Sequence, residues 1–322
     1  MIQRHCITNV VQINFKPKNM PFLDDPAVLA AVAVVIITAL ALFLISKKKA
    51  VALDPDNFKS FVLTKLEQIS HDTIRMTFGL GSDDKVLGLP VGQHIAFRYM
   101  DSSAGRYVER MYTPTTGDEL LGSVIFVIKV YHANVHPKFP DGGKMSQHLG
   151  SLKVGDTLEM KGPRGHMTYL GAGRIRKHAH LRKPEEMRFG GHFAMLAGGT
   201  GITPMLQIIE NVLKNPNDAT TLSLLFGNQT EEDILVREEL EVLAAAHPDR
   251  FSLHYTLDRP PADWKFSTGF ITKEMIEEKL LGKMSKGKEV QFLMCGPPLM
   301  VKFAGIANIE ALGYKKANYF SF

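Results

Sequence analysis

Between His192 and Lys214 the chain passes from a mainly apolar run, His192–Ala197, through Ala197-Gly198-Gly199-Thr200-Gly201-Ile202-Thr203-Pro204 into Thr203–Lys214, whose apolar residues have helical spacing. A strand feeding a helix through a glycine bend lets backbone N–H groups approach a phosphate. The loop is not a full G-x-G-x-x-G, because Pro204 stands where the last glycine would, and no Gly-Lys-Ser/Thr follows to make a P-loop. Proline fits the first turn of a helix, where its missing N–H costs nothing. The same rhythm continues with Thr221–Phe226 as strand, Glu231–Ala246 as helix and Phe251–Thr256 as strand. Lys273–Leu280 then reads as helix, Val290–Met294 as strand and Pro298–Leu312 as helix. Such alternation implies a parallel sheet with helices on its faces and right-handed crossovers. Residues 192–322 are therefore expected to form a Rossmann-like α/β domain.

Residues 51–170 read differently. Thr73–Phe78, Ile95–Tyr99 and Val124–Tyr131 are short, rich in β-branched and aromatic residues, and separated by turn signals such as Gly81-Ser82-Asp83 and Thr116-Gly117-Asp118. Several short strands in a row imply an antiparallel β-barrel or sandwich. Gly171–Gly191, with four Gly, one Pro and many charges, reads as a linker. A barrel followed by a nucleotide-type α/β domain suggests two cofactors meeting at a domain interface, where ligand pockets concentrate.

Residues 1–50 form an N-terminal segment. Within it Ala27–Ile45 (AVLAAVAVVIITALALFLI) is 19 residues without a charge, Thr38 being its one polar side chain. A hydrocarbon core of roughly 30 Å needs about 20 helical residues, so an N-terminal transmembrane helix is expected. The alternatives are a buried core helix and a cleaved signal peptide. A signal peptide starts with its charged region and ends at a small-residue cleavage site, whereas here polar residues come first and Lys47-Lys48-Lys49 last. From the lysine run, the residues on the C-terminal side of the segment are expected to face the cytosol. The endoplasmic reticulum and the mitochondrial outer membrane both remain open.

Cys6 and Cys295 are the two cysteines, one on each side of the apolar segment. They exclude a disulfide framework and cannot close a structural zinc site; no metal is expected. The formal charge of +5 is too small to imply nucleic acid, although a local basic patch for an acidic partner is compatible with it.

Four segments carry candidate chemistry. In Arg110-Met111-Tyr112-Thr113-Pro114 the guanidinium can clamp phosphate, and the tyrosine two residues on shares its face of a strand. By chance alone such a pattern is also a plain surface strand. Asp141-Gly142-Gly143-Lys144-Met145-Ser146 precedes a helical stretch whose N–H groups could face a phosphate, or it is a plain glycine turn. The glycine loop at Ala197–Pro204 is the third. Met294-Cys295-Gly296-Pro297-Pro298-Leu299-Met300 is the fourth, with Cys295 at the end of the last inner strand; a buried structural thiol is the bland alternative.

These segments, in this order, resemble the NADH–cytochrome b5 reductase family within the ferredoxin reductase-like flavoenzymes. The resemblance runs from about Phe58 to Phe322 and includes Val127-Ile128-Lys129-Val130-Tyr131, His136-Pro137-Lys138-Phe139-Pro140, Gly142–Gln147, Gly198–Leu206, Cys295-Gly296-Pro297-Pro298 and Tyr319–Phe322. It implies an FAD domain and an NADH domain. Arg110 would bind the FAD pyrophosphate, Tyr112 the ribityl–flavin region and Thr113 the flavin near N5. Val127, Ile128, Lys129 and Tyr131 would line the adenine and flavin side, and Phe139, Gly143, Lys144, Met145 and Ser146 would complete the cradle. Thr200 and Thr203 would sit between flavin and nicotinamide, Gly227-Asn228-Gln229 and Asp258 near the NADH adenosine, and Cys295, Gly296, Pro297 and Met300 beside the nicotinamide. Met111 stands where the family usually has proline.

The implied activity is hydride transfer from NADH to FAD, then one-electron transfers to cytochrome b5, an acidic haem protein. Thr113 and Lys129 are the candidates for tuning reduced flavin, by a hydrogen bond and a positive charge. Cys295 is expected to position the nicotinamide, not to act as a nucleophile. A carboxylate at Asp258 would accept from a ribose and repel a 2′-phosphate, favouring NADH over NADPH. The basic stretch Arg174, Arg176, Lys177, His178, His180, Arg182 and Lys183 could steer the acidic partner, or its charges are merely solvated. Rival readings are a related reductase serving another haem or an iron–sulfur acceptor, and a non-catalytic nucleotide-binding membrane protein.

Overall fold

The computed structural model describes residues 25–46, 49–135, 140–178, 184–282 and 285–322. Cys6, Lys47, Lys48, Phe139, His180, Arg182 and Lys183, each singled out in the sequence, lie outside the described residues. The chain divides into two units, Met1–Lys49 and Ala50–Phe322.

In the first unit α1 spans Pro26–Ser46. The Thr38 hydroxyl donates to the Val34 carbonyl at 2.6 Å, so this polar side chain is satisfied within the helix. The described side chains of α1 end at Thr38. Among the described residues no helix is long and apolar enough to cross a membrane.

The second unit starts with six antiparallel strands: β1 Lys59–Ser70, β2 Thr73–Gly79, β3 His94–Asp101, β4 Arg106–Tyr112, β5 Ser123–Lys129 and β6 Thr157–Arg164. Their order is β4-β3-β6-β1-β2-β5. Alternation puts Ile74, Met76 and Phe78 of β2 and Val124, Phe126 and Ile128 of β5 into one core with Phe61, Leu63, Phe97 and Met160. Although β3 and β5 are far apart in the sheet, the rings of Phe97 and Phe126 meet edge to face at 4.8 Å. The sheet must curl around its core to allow this. Among the described residues β4 and β5 are not laddered to each other, so the expected barrel is a curled sheet with an open seam. Helix α2, Lys144–Ser151, buries Met145 and Leu149 in the same core.

Gly171–Gly191 is more structured than a linker. β7 Met167–Tyr169, β8 Arg174–Lys177 and β9 Glu186–Phe189 form a small antiparallel sheet. Ile175 anchors it in the core of the α/β domain, and the Arg188 guanidinium pairs with both Glu186 oxygens while donating to the Tyr319 carbonyl at 3.1 Å. The charge density that reads as a linker is thus partly internal pairing.

The α/β domain contains β10 His192–Gly198, β11 Thr221–Asn228, β12 Phe251–Leu257, β13 Ser267–Thr268, β14 Val290–Cys295 and β15 Tyr319–Ser321. All run parallel in the order β13-β12-β11-β10-β14-β15. Every residue of β10 is buried, which explains the unbroken apolar run that follows His192. α3, Ile202–Lys214, and α4, Arg237–Ala246, cover the sheet. The single helix expected over Glu231–Ala246 is broken. Glu231–Asp233 is a separate 3₁₀ turn, Ile234, Leu235 and Val236 are buried, and Val236 adopts φ 50°. Three consecutive apolar side chains entering the core cannot share one helical face. Further helical turns occupy Lys273–Met275, Ile276–Leu280, Met300–Ile306 and Ala307–Ala311.

Candidate functional site

The chain leaves β10 towards β11 on one side and returns as β14 on the other, so the strand order reverses between β10 and β14. Ligands of open α/β sheets collect at the carboxyl ends of strands at such a point. Ala197 pairs with Cys295, Gly198 with Gly227, and Asn228 with Leu257. The edge therefore presents Asp258, Asn228, the glycine loop and Cys295 in sequence, at roughly 4.8 Å per strand.

Close approach explains the glycines here. A Cβ at Gly201 would lie 2.1 Å from the Cys295 carbonyl oxygen, and one at Gly198 would lie 2.5 Å from Met300 Sδ and 2.9 Å from Pro297 Cδ. Cys295 through Met300 is thus packed directly under the loop. The Thr203 hydroxyl donates to the Thr200 carbonyl at 3.3 Å, tying the loop to the first turn of α3. Burial pushes the Cys295 thiol up to about 11, against a smaller opposing effect of the Gly296 N–H, so it stays protonated at neutral pH. Cys295 and Gly296 are half-buried, and Pro297 is exposed.

Two polar groups at this edge stand out. Both amide atoms of Asn228 are buried without a partner; each such orphan costs about 1–3 kcal/mol unless a ligand or water supplies the bond. Asp258 is exposed just past β12, its backbone N–H donating to the Asn228 carbonyl at 3.1 Å. Burial raises its carboxyl pKa despite neighbouring Arg259.

On the barrel side, Arg110 is exposed, donates to the Glu109 carbonyl at 2.7 Å and forms no ion pair among the described residues. Tyr112 ends β4 and stacks on Phe97 at 4.7 Å. Burial first, and then Tyr131, push its phenol up to about 12, keeping it a hydrogen-bond donor. Thr113 follows directly, half-buried. A Cβ at Gly143 would lie 2.5 Å from Ser146 Oγ and 3.1 Å from Tyr131 Cβ. Ser146 Oγ accepts from the Tyr131 N–H at 3.1 Å and donates to the Gly143 carbonyl at 3.0 Å. Lys144 reaches Asp101 at 3.2 Å. The Ser103 hydroxyl and then Lys144 hold Asp101 at about 2.

The N-termini of α2 and α3 share a feature. Neither has a side-chain cap or an acidic residue in its first turn, whereas Thr230 and Thr272 cap helical turns elsewhere. Uncapped N–H groups and the positive end of the dipole suit a phosphate.

Every second residue from Val127 crosses from barrel to α/β domain. Val127 joins the α/β core, Lys129 Nζ lies 2.5 Å from Asp72 Oδ2 and 2.7 Å from Asp233 Oδ1, and Tyr131 Oη lies 3.4 Å from Thr200 Oγ1. Burial depresses the Lys129 pKa, but the hydrogen bonds and charges of Asp233 and Asp72 outweigh it and leave a net rise. Lys129, expected to tune flavin, therefore has its ammonium engaged by two carboxylates. Ile128 and Met145 point into the barrel core, so their side chains serve packing. Sequence reasoning missed Asp72 and Asp233. Thr230-x-x-Asp233 is legible as a capping box, but nothing in the sequence names Lys129 as its partner.

Comparison with known proteins assigns both halves. The family model of the oxidoreductase FAD-binding domain matches residues 60–169, and that of the oxidoreductase NAD-binding domain matches residues 195–305. These define an FAD-dependent oxidoreductase with separate FAD and NAD domains. The chain is 47% identical over 311 residues to NADH-cytochrome b5 reductase 2 of Xenopus tropicalis, covering 94% of this chain and 100% of that one. It is 46% identical over 269 residues to NADH-cytochrome b5 reductase 2 of Homo sapiens, covering 84% and 96%. Among solved structures, the cytochrome b5 reductase domain of Ulva prolifera nitrate reductase superposes with a TM-score of 0.78 at 44% identity, covering 85% of this chain and 100% of that one. The chain belongs to the NADH–cytochrome b5 reductase family.

Proposed function

We propose that this protein is a membrane-anchored NADH–cytochrome b5 reductase, which takes a hydride from NADH onto FAD and passes electrons singly to the haem of cytochrome b5. The observation that carries this reading is the contact of the glycine loop with Cys295 at the strand-order reversal, joined to the barrel through Tyr131 and Thr200. Bound FAD would supply the conversion between two-electron and one-electron chemistry; the protein supplies position.

The residues present fit the two cofactors. Arg110, unpaired with any described carboxylate, would take the FAD pyrophosphate as a bidentate clamp. The α2 N-terminus would support it, with Gly143 and Ser146 shaping the backbone. Lys144 would contribute less, since Asp101 shares its charge. Tyr112 would pack against the ribityl–flavin region, and Thr113 would donate a hydrogen bond near N5. On the other side the α3 N-terminus, Thr200 and Thr203 would face the nicotinamide half of NADH, with Cys295, Gly296, Pro297 and Met300 as its floor. The orphaned Asn228 amide would meet the adenosine half, and Asp258 its ribose. Nothing in this arrangement needs a general base, because the transferred species is a hydride and its demand is alignment.

Anchoring is supported by the sequence, where the charge-free run Ala27–Ile45 would extend roughly 30 Å as a helix at about 1.5 Å per residue. With lysines on its C-terminal flank, the catalytic domains face the cytosol, on the endoplasmic reticulum or the mitochondrial outer membrane. Carbonate extraction of the full chain and of a variant lacking Ala27–Ile45 tests this; release of both into the supernatant contradicts an anchor.

The acceptor is tested by competition between cytochrome b5 and an iron–sulfur protein for electrons from the NADH-reduced chain. The proposal expects cytochrome b5 to win, with a rate that falls as salt rises. Arg176 and Lys177 pair with Glu185 and Glu186 at 3.5 and 3.7 Å, so steering by this stretch is partly cancelled locally. R176E/K177E should lower the low-salt rate several-fold; an unaltered rate removes the stretch from steering.

A further inference from the structure

We propose that Asp233 is a positioning residue for hydride transfer: by gripping Lys129 across the domain seam, it holds strand β5 of the barrel in register with the glycine loop of the α/β domain. This rests on the FAD/NADH reading above and assigns a residue to it.

The seam is built on one face of β5 and its neighbour. Val127, Lys129 and Tyr131 alternate onto that face and meet the α/β core, Asp233 and Thr200 in turn. Arg75 of β2, the cross-strand partner of Val127, reaches Glu239 of α4 at 2.9 Å. The ion pairs of the interface are unequal. In Arg75–Glu239 the side chains are 35% and 43% exposed, and in Lys214–Glu119 they are 55% and 58% exposed. Pairs that wet are screened and hold little. Lys129 and Asp233 are 16% and 15% exposed, so the pair is shielded from water; losing Asp233 leaves the buried Lys129 ammonium with Asp72 alone, a partner on its own side of the seam.

Asp233 is itself held. It is the third residue of the 3₁₀ turn capped by Thr230, whose N–H and hydroxyl both reach Asp233 Oδ2 at 3.0 Å. That leaves Oδ1 directed at Lys129. Thr230 follows Asn228 by two residues, so the grip is linked by a short, hydrogen-bonded turn to the carboxyl edge where the dinucleotide would lie. Asp72, on the barrel's own β1–β2 turn, holds Lys129 from the same domain as its backbone; of the two carboxylates on Lys129, Asp233 is the one that reaches across the seam. Hydride transfer tolerates little misplacement between donor and acceptor carbon and nitrogen. Loosening the seam should therefore slow the transfer more than it weakens binding.

The test uses the full chain loaded with FAD. Asp233→Asn keeps the side-chain shape and an acceptor for Thr230, and removes the charge. At saturating NADH its flavin should bleach at least tenfold more slowly than wild type, with a larger isotope effect for deuterated NADH. The half-saturating NADH concentration should change less than threefold, and FAD content and reoxidation by ferricyanide should be unchanged. Glu239→Gln, at a screened pair, should stay within twofold. A readout independent of activity is a double-mutant cycle of Lys129→Met and Asp233→Leu in urea unfolding: the pair should couple by more than tenfold in the folding equilibrium constant. Should Asp233→Asn lose FAD, Asp233→Glu, which keeps the charge but shifts it by one methylene, should retain FAD and bleach at an intermediate rate. A bleaching rate within twofold of wild type in either variant, a loss confined to NADH half-saturation, or no coupling in the cycle overturns the proposal. Failure of wild type to bleach would instead overturn the FAD/NADH reading, and the unfolding cycle would still decide the grip.

Discussion

Gly201 lies so close beneath the carbonyl of Cys295 that a Cβ would stand 2.1 Å from its oxygen. The glycine loop and the last inner strand therefore touch backbone to backbone where the strand order reverses. Gly201→Ala should force the loop off β14, destabilising the domain by about 1–3 kcal/mol and slowing NADH-driven flavin bleaching more than tenfold. Gly199, with φ 51° and nothing within 4 Å of its Cβ position, should cost only about 1–2 kcal/mol of backbone strain as alanine. NADH-driven bleaching rates of the two variants check the contrast, and equal loss of activity in both would contradict it.

His192 opens β10 fully buried, its ring nitrogens 2.9 Å from Thr221 Oγ1 and 2.9 Å from the Leu280 carbonyl. Burial, with Lys288 adding to it, pulls its pKa down to about 4 from an ordinary 6.5, against the Leu280 hydrogen bond. The folded state thus keeps His192 neutral while the unfolded state takes up a proton. Stability from this group is full above about pH 6.5 and is lost as pH falls towards 4, by at most about 3 kcal/mol. Urea midpoints at pH 7 and pH 4.5 should differ accordingly, and His192→Asn should flatten the slope. An unchanged slope in the variant would assign the acid sensitivity elsewhere.

Cys295 should behave as an inert thiol. Raised from 9.0 to about 11, its thiolate fraction at neutral pH is about a hundredfold below that of a free thiol. In a Cys6→Ser background, iodoacetamide should label it slowly at pH 7 and faster as pH approaches 11. Rapid labelling at neutral pH would make it a candidate nucleophile after all.

The order of the FAD and NAD domains and the helix starts that follow both glycine segments were legible in the sequence because they depend on local spacing. After His192, β10 is apolar since both its faces are buried, and Pro204 does sit in the first turn of α3. The interruption at Ile234–Val236 was not legible, because those three apolar residues fit a helical count until the core on both sides is known. Nor was the pairing of Lys129 with Asp233, 104 residues apart: a lysine beside flavin-lining residues has the same local signature whether its ammonium faces a cofactor or a carboxylate. The β8–β9 hairpin was hidden by its charges, since Arg188 and Glu186 neutralise each other only once the strand forms.

Asp258 stands at the far end of the carboxyl edge from Cys295, exposed, with its backbone tied to Asn228. As an anion there it would repel a 2′-phosphate. Asp258→Thr should raise the NADPH-to-NADH ratio of kcat/KM at least tenfold with FAD content unaltered. A constant ratio would make Asp258 a solvated strand-end acid.

The central claim is that barrel and α/β domain bring two cofactors together for hydride transfer. The most direct measurement is an anaerobic titration of the purified chain with NADH while flavin absorption is followed. The account predicts bound flavin that bleaches at about one NADH per flavin, the stoichiometry of a single two-electron hydride transfer. A colourless chain that stays colourless after FAD is added, or a flavin that NADH does not bleach, would contradict it.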